Sequence, residues 1–200
     1  MRGQAHTLEG IIGALILVSS LVFAMQVTAV TPLSASTSSQ HIENQQQAVA
    51  EGVLAVADNN GTLTTATLYW DESENTFHGL GGDEFYTNDD EVNAFTLGQL
   101  LNESFGSRGV AFNVNLIYQT SSGDRRSRWM VYRGAPSDNA VTTTRSVTLY
   151  DDDRLREADG SRSSTTVKSA ASSGEFYARD ASPGSSLFNV VRVEVTVWRM

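Results

Sequence analysis

The chain has 200 residues, of which 40% are hydrophobic, enough for one compact domain and an anchoring segment. Its formal net charge is −9, and Lys168 is the only lysine among 14 basic residues. This balance disfavours a nucleic-acid partner, which would need a basic face. It favours a protein from a high-salt environment, where charge repulsion is screened, with an ordinary acidic protein as the alternative. The lack of cysteine excludes disulfides and cysteine metal sites.

The N-terminal region contains a long apolar stretch. Residues 10–30 read GIIGALILVSSLVFAMQVTAV and carry no charge. A helix needs about 20 apolar residues to cross a bilayer core, so this stretch is long enough. Three interpretations compete: a cleaved secretory signal, a plain single-pass anchor, or a helix that leaves the bilayer to enter a filament. Arg2 precedes the stretch, and the positive-inside rule therefore places the N-terminus in the cytoplasm and the remainder outside.

Glu9 lies directly before the apolar stretch, where a carboxylate disfavours membrane insertion. The stretch RGQAHTLEGIIGALILVSSLVFAMQVTAVTPLSASTSSQHIENQQ, residues 2–46, resembles the class III signal peptides of archaeal type IV pilin-like proteins, in particular a halophilic group. The resemblance implies that a prepilin peptidase cuts on the cytoplasmic side of the helix, so that the helix stays on the mature protein. The residues that it assigns to processing are Arg2, Gly3, Gln4 and Ala5.

The same resemblance assigns Glu9 to filament assembly. A neighbouring subunit's N-terminal ammonium would neutralise the buried carboxylate and so set the axial register. Cleavage after Gly3 would make Glu9 the sixth residue of the mature chain, and cleavage after Gln4 would make it the fifth. The peptide bonds after Gly3 and after Gln4 therefore both remain candidate cleavage sites.

Small residues recur at four-residue spacing in the apolar stretch, and such residues let membrane helices approach closely. They are Gly10 with Ala14, and Ser20 with Ala24 and Thr28. A lone anchor helix could show the same spacing by chance. We predict a leader and processing motif over residues 1–9 and a transmembrane helix over 10–30.

A second, stalk helix is predicted over residues 31–58. Pro32 should kink or end the first helix, because proline removes a backbone donor and clashes with the preceding turn. Thr37 and Gln40 have the spacing of a capping box. Residues at helical intervals predict an apolar stripe: Ile42, Val49, Val53 and Val56. Asp58-Asn-Asn-Gly predicts the end of the helix.

Residues 59–200 are predicted to form an extracellular β-rich head. Period-two alternation predicts antiparallel strands at Val110–Tyr118 and Val191–Val197, the latter central because of its valines. Weaker patterns predict strands at Leu63–Trp70, Arg128–Arg133 and Val141–Tyr150, a helix at Glu91–Ser104, and a long mobile loop over 157–186 with a short strand at Phe176 and Tyr177. The expected fold class is α+β, with a long N-terminal helix followed by an antiparallel β-rich, pilin-like head.

No motif for catalysis, nucleotide binding or metal binding emerges. His6, His41 and His78 lack metal-ligand spacing. The acidic clusters, Asp83 and Glu84 with Asp89 to Glu91 and the run Asp151 to Asp153, lack the spacing of a calcium loop, so we predict no metal and no cofactor. Asn60 and Asn102 lie in N-glycosylation sequons, and Asn60 is the better candidate because Asn102 falls in a predicted helix.

We therefore predict a non-enzymatic, pilin-like structural subunit, minor or at the tip rather than repeating. Its expected partners are other pilin-like subunits, the prepilin peptidase, the assembly platform in the membrane and the lipid bilayer. The alternative is a single-pass surface protein whose head binds a ligand or partner and never enters a filament. An extracellular hydrolase ranks third.

Overall fold

The computed structural model describes residues 2–81 and 86–200, and within the first helix it describes the side chains of residues 6–26 and 40–59. Asp83 and Glu84, which belong to one of the acidic clusters noted in the sequence, lie outside the described residues. The chain divides into two units, Met1–Ile42 and Glu43–Met200. We call them the N-terminal unit and the head unit. The predicted division placed the start of the head at residue 59.

The chain combines one long helix, several short helices and antiparallel strands, which confirms the α+β class. The helices are α1 (Arg2–Asn59), α2 (Thr62–Thr67), α3 (Asp89–Val92), α4 (Thr96–Phe105) and α5 (Val167–Ser173), with a 3-10 turn at Gly106–Arg108. The strands are β1 (Trp70–Asp71), β2 (Thr76–Phe77), β3 (Val110–Gln119), β4 (Arg125–Val131), β5 (Val141–Tyr150), β6 (Arg154–Arg156), β7 (Arg162–Thr166) and β8 (Leu187–Arg199).

Helix α1 runs without a break from Arg2 to Asn59. Of the two predicted effects of Pro32, a kink or an end of the first helix, the second is therefore wrong. A separate stalk helix that starts near Thr37 is not formed. The physical reason is that proline in a helix interior costs only about 3 kcal/mol, and the helical bonds on either side of it are retained. The predicted end of the helix is confirmed, and Gly61 follows it with a left-handed φ of 78°.

The buried face of α1 in the head unit differs from the predicted stripe. Its buried residues recur at intervals of four, four and three: Gln46, Ala50, Leu54 and Ala57. Val49 and Val53 pack partly against the core, but Val56 is 55% exposed. Two alanines on the buried face let the helix approach the core closely, while Leu54 fills the core from the same face.

A four-stranded antiparallel sheet forms the centre of the head unit, with the strand order β4-β3-β8-β5. Strand β8 therefore has a neighbour on both edges, which confirms the prediction that the last strand is central. Val191, Val193, Val195 and Val197 are fully buried on one face of β8. The strands predicted at β3, β5 and β8 are confirmed, and β4 begins at Arg125, three residues before its predicted start.

The strand predicted at Leu63–Trp70 is wrong, because most of it forms α2 and only Trp70 enters a strand. Threonines favour strands locally, but Leu63, Ala66 and Thr67 share one buried helical face. The side chain of Asn60 also accepts a hydrogen bond from the Thr62 amide at 3.0 Å, which helps to start the helix. Packing therefore overrides local propensity here.

The helix predicted at Glu91–Ser104 is two helices, α3 and α4. Asn88 and Glu91 form a capping box that starts α3, a role that the sequence did not reveal. Phe95 takes an extended conformation with φ −134° and ψ 152°, and this separates the two helices. On these helices and the residue between them, Val92, Phe95 and Leu101 are buried, and Leu100 is partly buried.

Residues 157–186 are ordered by secondary structure and aromatic contacts, so the long mobile loop is a wrong prediction. They include β7, which pairs with β6, and helix α5. Phe176 and Tyr177 are buried but do not form a strand. The Tyr177 hydroxyl donates to the Thr67 carbonyl at 2.9 Å, and the Trp70 indole donates to the Glu175 carbonyl at 2.7 Å. These two long-range bonds tie the segment to the core, and they are invisible in its Ser- and Gly-rich composition.

Leu54→Ala should destabilise the head unit by about 2–5 kcal/mol, because it leaves a cavity at a fully buried position. Val56→Ala is the matched control, since it lies in the same helix and is 55% exposed, and it should change the free energy of unfolding by less than about 0.5 kcal/mol. Denaturant unfolding of the full chain in a non-ionic detergent measures both. Equal losses for the two variants would contradict the observed packing face.

Candidate functional site in the N-terminal helix

The apolar segment of α1 is exposed along its whole described length. Residues 6–26 form a 21-residue span with a mean hydropathy of 2.2, and none of it is buried. Leu15, Leu17 and Phe23 are 62%, 71% and 69% exposed. By length and composition the segment suits a membrane anchor, and a signal sequence passes the same test. So large an apolar surface requires lipid or other protein around it.

The span begins with a pair of titratable side chains. His6 Nδ1 lies 3.6 Å from Glu9 Oε2, at a spacing of three residues, and the two side chains are 83% and 81% exposed. The pair is ionic only when His6 is protonated. Glu9 thus has a partner inside its own chain, in addition to the ammonium that the pilin resemblance implies. The sequence analysis missed this pair, although the helical spacing could have revealed it.

The small residues of the apolar stretch differ in how open their positions are to a second helix. A Cβ added at Gly10 would meet no atom within 4 Å, and Gly13 is equally open. Ala14 is exposed one turn after Gly10, so the two share a face. The Ser20 hydroxyl donates to the Leu17 carbonyl at 2.9 Å and is therefore satisfied within the helix. Ala24 follows on the face of Ser20.

Other predicted site residues fall where side chains are not described. The side chains of Thr28 and of the processing residues lie outside the described residues, namely Arg2, Gly3, Gln4 and Ala5. Their roles stay predictions. The backbone from Arg2 onward is helical.

The two sequons differ in the accessibility of the asparagine. Asn60 is exposed in the turn after α1, and its side-chain oxygen accepts from the Thr62 amide at 3.0 Å, which leaves its Nδ2 pointing away from that bond. Asn102 is half-buried on α4, and its Nδ2 donates to Asn93 Oδ1 at 3.2 Å. A glycan attaches at Nδ2, so the geometry favours Asn60 over Asn102 as the acceptor.

The predicted acidic clusters are partly used for internal contacts. Asp89 pairs with Arg133, whose side chain is only 7% exposed. Asp151 pairs with Lys168 at 2.5 Å, and hydrogen bonding to Asp151 raises the pKa of Lys168. Asp153 accepts from the Tyr150 amide at 2.7 Å. In the part of the chain that the structure describes, no group of three or more potential ligands is placed to hold a metal ion.

His78 and Asp71 form a cluster that the sequence did not indicate. His78 Nε2 lies 2.8 Å from the Arg156 carbonyl oxygen, and Nδ1 lies 3.4 Å from Asp71 Oδ2. The Ser73 hydroxyl donates to Asp71 Oδ1 at 2.6 Å, so it faces the carboxylate rather than the imidazole. This arrangement differs from a nucleophile–base pair. The His78–Asp71 cluster instead joins the β1–β2 hairpin to β6.

The hydrogen bonds to Asp71 predict a pH-dependent stability. The pKa of Asp71 is lowered below its usual value of 3.8, chiefly by the hydrogen bond from the Ser73 hydroxyl. The backbone amides of Glu74 and Ser73 and the charge of His78 lower it further, whereas partial burial raises it. A lowered folded-state pKa gives stability that is complete above the unfolded-state pKa and is lost as the pH falls through the folded-state pKa. Asp71→Asn should therefore cost about 1–2 kcal/mol at pH 7, and this difference should shrink below about pH 4.

Glu74→Gln is the matched control for Asp71→Asn, because it removes a carboxylate from the same turn and its side chain is exposed. Thermal or denaturant unfolding between pH 3 and pH 7 measures the difference. A constant deficit for Asp71→Asn over this pH range would contradict the role of the charged carboxylate.

Comparison with known proteins places the chain in a family without assigning a function. No curated protein and no solved structure matches it. A family model matches residues 2–197, which include the apolar helix and nearly all of the head unit. The chain therefore belongs to DUF7288, a family of unknown function.

Proposed function

We propose that the chain is a minor, pilin-like structural subunit of an archaeal type IV pilus-like surface filament, held in the membrane by α1 before assembly. The observation that carries this proposal is the exposed 21-residue apolar span that begins at the His6–Glu9 pair. The resemblance of residues 2–46 to class III signal peptides supports the same proposal. The resulting role is mechanical or adhesive.

The apolar surface of the span is suited to two successive environments, the bilayer and then the filament. Removing apolar surface from water gains about 25 cal/mol per Å², so the side chains of residues 6–26 are stable in lipid or against other apolar helices. Transfer from bilayer to filament exchanges one apolar environment for another, and it therefore costs little hydrophobic energy. Close packing at the open Gly10 and Ala14 face would then favour helix association.

The carboxylate of Glu9 gives the assembled state a specific contact. A charged group at the edge of the hydrocarbon region is costly unless it is paired. A protonated His6 can pair with Glu9 while the subunit is in the membrane. In a filament, the N-terminal ammonium of an adjacent subunit would take the same carboxylate. The proposed partners of the whole chain are other pilin-like subunits, the prepilin peptidase and the assembly platform.

The first test is the N-terminal residue of the mature protein, determined by mass spectrometry of membrane and sheared-surface fractions. We expect a start at Gln4 or Ala5 with the apolar helix retained. A start near Val30 would instead indicate a secreted domain. An uncut N-terminus would favour a plain single-pass anchor with a partner-binding head.

Glu9→Gln should leave the protein in the membrane but reduce its content in sheared filaments at least tenfold, because the amide cannot neutralise a neighbouring ammonium. Glu43→Gln is the matched control: it makes the same chemical change in the same helix, beyond the apolar span, and should assemble as the unmodified protein does. Immunoblots of the two fractions measure the ratio. Normal assembly of Glu9→Gln would refute the register role.

A further inference from the structure

A cavity of about 260 Å³ lies in the head unit where β3 and β8 separate. The two strands pair from Val110↔Arg199 to Ile117↔Arg192, and the ladder then stops. Beyond this point the Asn189 side chain spans the gap: its Nδ2 donates to the carbonyls of Gln119 and Arg179, both at 2.8 Å. Asn189 is only 1% exposed, so a buried polar side chain bridges the two strands beyond the end of their ladder.

The residues beside the cavity lie on the outer face of the sheet. Arg192 stands opposite Ile117 on β3 and Ser146 on β5, and Arg125 on β4 stands opposite Gln119. Directly paired residues share a face of a sheet, and residues two apart on a strand do so as well. Val191 and Val193 flank Arg192 and point into the core. The two arginines therefore face outward together, toward the cavity.

The charges at this cavity are of one sign. Arg125 and Arg192 line it, and its lining includes no carboxylate. Among residues 2–81 and 86–200, no acidic group forms an ion pair with either arginine. By contrast, Arg133 and Lys168 do pair with acids. The positive charge of these two arginines is therefore not neutralised by an acidic side chain at the cavity.

Two carboxylates lie near the cavity without lining it. Asp180 precedes the lining residues Ala181 and Ser182, and its Oδ1 accepts from the Ser182 amide at 2.8 Å. Glu194 is two residues beyond Arg192, roughly 7 Å along the strand, and it stands opposite Asn115 and Thr144 in the next row. Neither carboxylate is among the residues that line the cavity.

We propose that this cavity binds a small oxyanion-bearing ligand, with its carboxylate, phosphate or sulfate group held by Arg125 and Arg192. Guanidinium groups bind planar or tetrahedral oxyanions by paired, charge-assisted hydrogen bonds. The hydroxyls of Ser146 and Ser182 add polar partners, and Leu187 and Val190 offer an apolar flank. The volume suits a body of about one sugar ring, since pockets for drug-sized ligands begin near 300 Å³. This inference does not depend on assembly into a filament.

The test uses the full chain in a non-ionic detergent, labelled with ¹⁵N on arginine, and titrates it with three probes. D-glucuronate presents a carboxylate on a sugar body, D-glucose is its neutral counterpart, and inorganic phosphate is a free oxyanion. We expect glucuronate to shift the Nε–H signals of Arg125 and Arg192 saturably, and glucose to leave them unchanged. Tighter binding of glucuronate than of phosphate would identify an organic acid as the ligand, and equal binding would identify the oxyanion alone.

Arg125→Gln and Arg192→Gln should each weaken glucuronate binding about tenfold or more, because each removes a charge-assisted contact. Arg145→Gln is the matched control: Arg145 neighbours Ser146 on β5 but stands opposite the buried Val193, so it faces away from the cavity. All three side chains are exposed, and the thermal midpoint should stay unchanged. The proposal is overturned if neither anion binds saturably, or if Arg145→Gln weakens binding as much as the other two variants.

Discussion

The head unit depends on the burial of one strand. Strand β8 pairs with β3 on one edge and with β5 on the other, and its four alternate valines are fully buried. Each of these valines contributes about 1.5–3 kcal/mol relative to full exposure, so the row is a large part of the stability of the unit.

A second group of contacts ties the irregular segments to this sheet. Trp70 meets Phe77 edge-on at a centroid distance of 5.0 Å and Tyr177 at 5.2 Å. Burial, with a smaller contribution from Tyr118, raises the pKa of Tyr177, so its hydroxyl remains a neutral hydrogen-bond donor. Aromatic pairs of this geometry add about 0.5–1.5 kcal/mol each to the gain from area alone. They explain how a stretch rich in Ser and Gly becomes part of an ordered core.

The N-terminal unit differs from the head unit in that its apolar residues are exposed. Its apolar side chains point outward, and no residue of the 21-residue span is buried. The apolar residues of the head unit are buried within the unit, whereas those of the span can leave water only by contact with their surroundings. Within the head unit, the outer face of the sheet carries the two arginines that line the cavity beside Asn189.

The sequence by itself determined the apolar helix, the end of α1 near Asp58 to Gly61, the strands β3, β5 and β8, and the central place of β8. These features follow from periodicity and from uninterrupted apolar runs, which are local properties. Only the tertiary structure decided that Thr62–Thr67 is a helix, that Val56 faces solvent and that Tyr177 is anchored to the Thr67 carbonyl. The His78–Asp71 cluster and the cavity at Asn189 arise in the same way, because they join residues far apart in the chain whose contacts leave no periodic trace. Local preferences of about 1 kcal/mol or less per residue were overridden wherever packing decided the outcome.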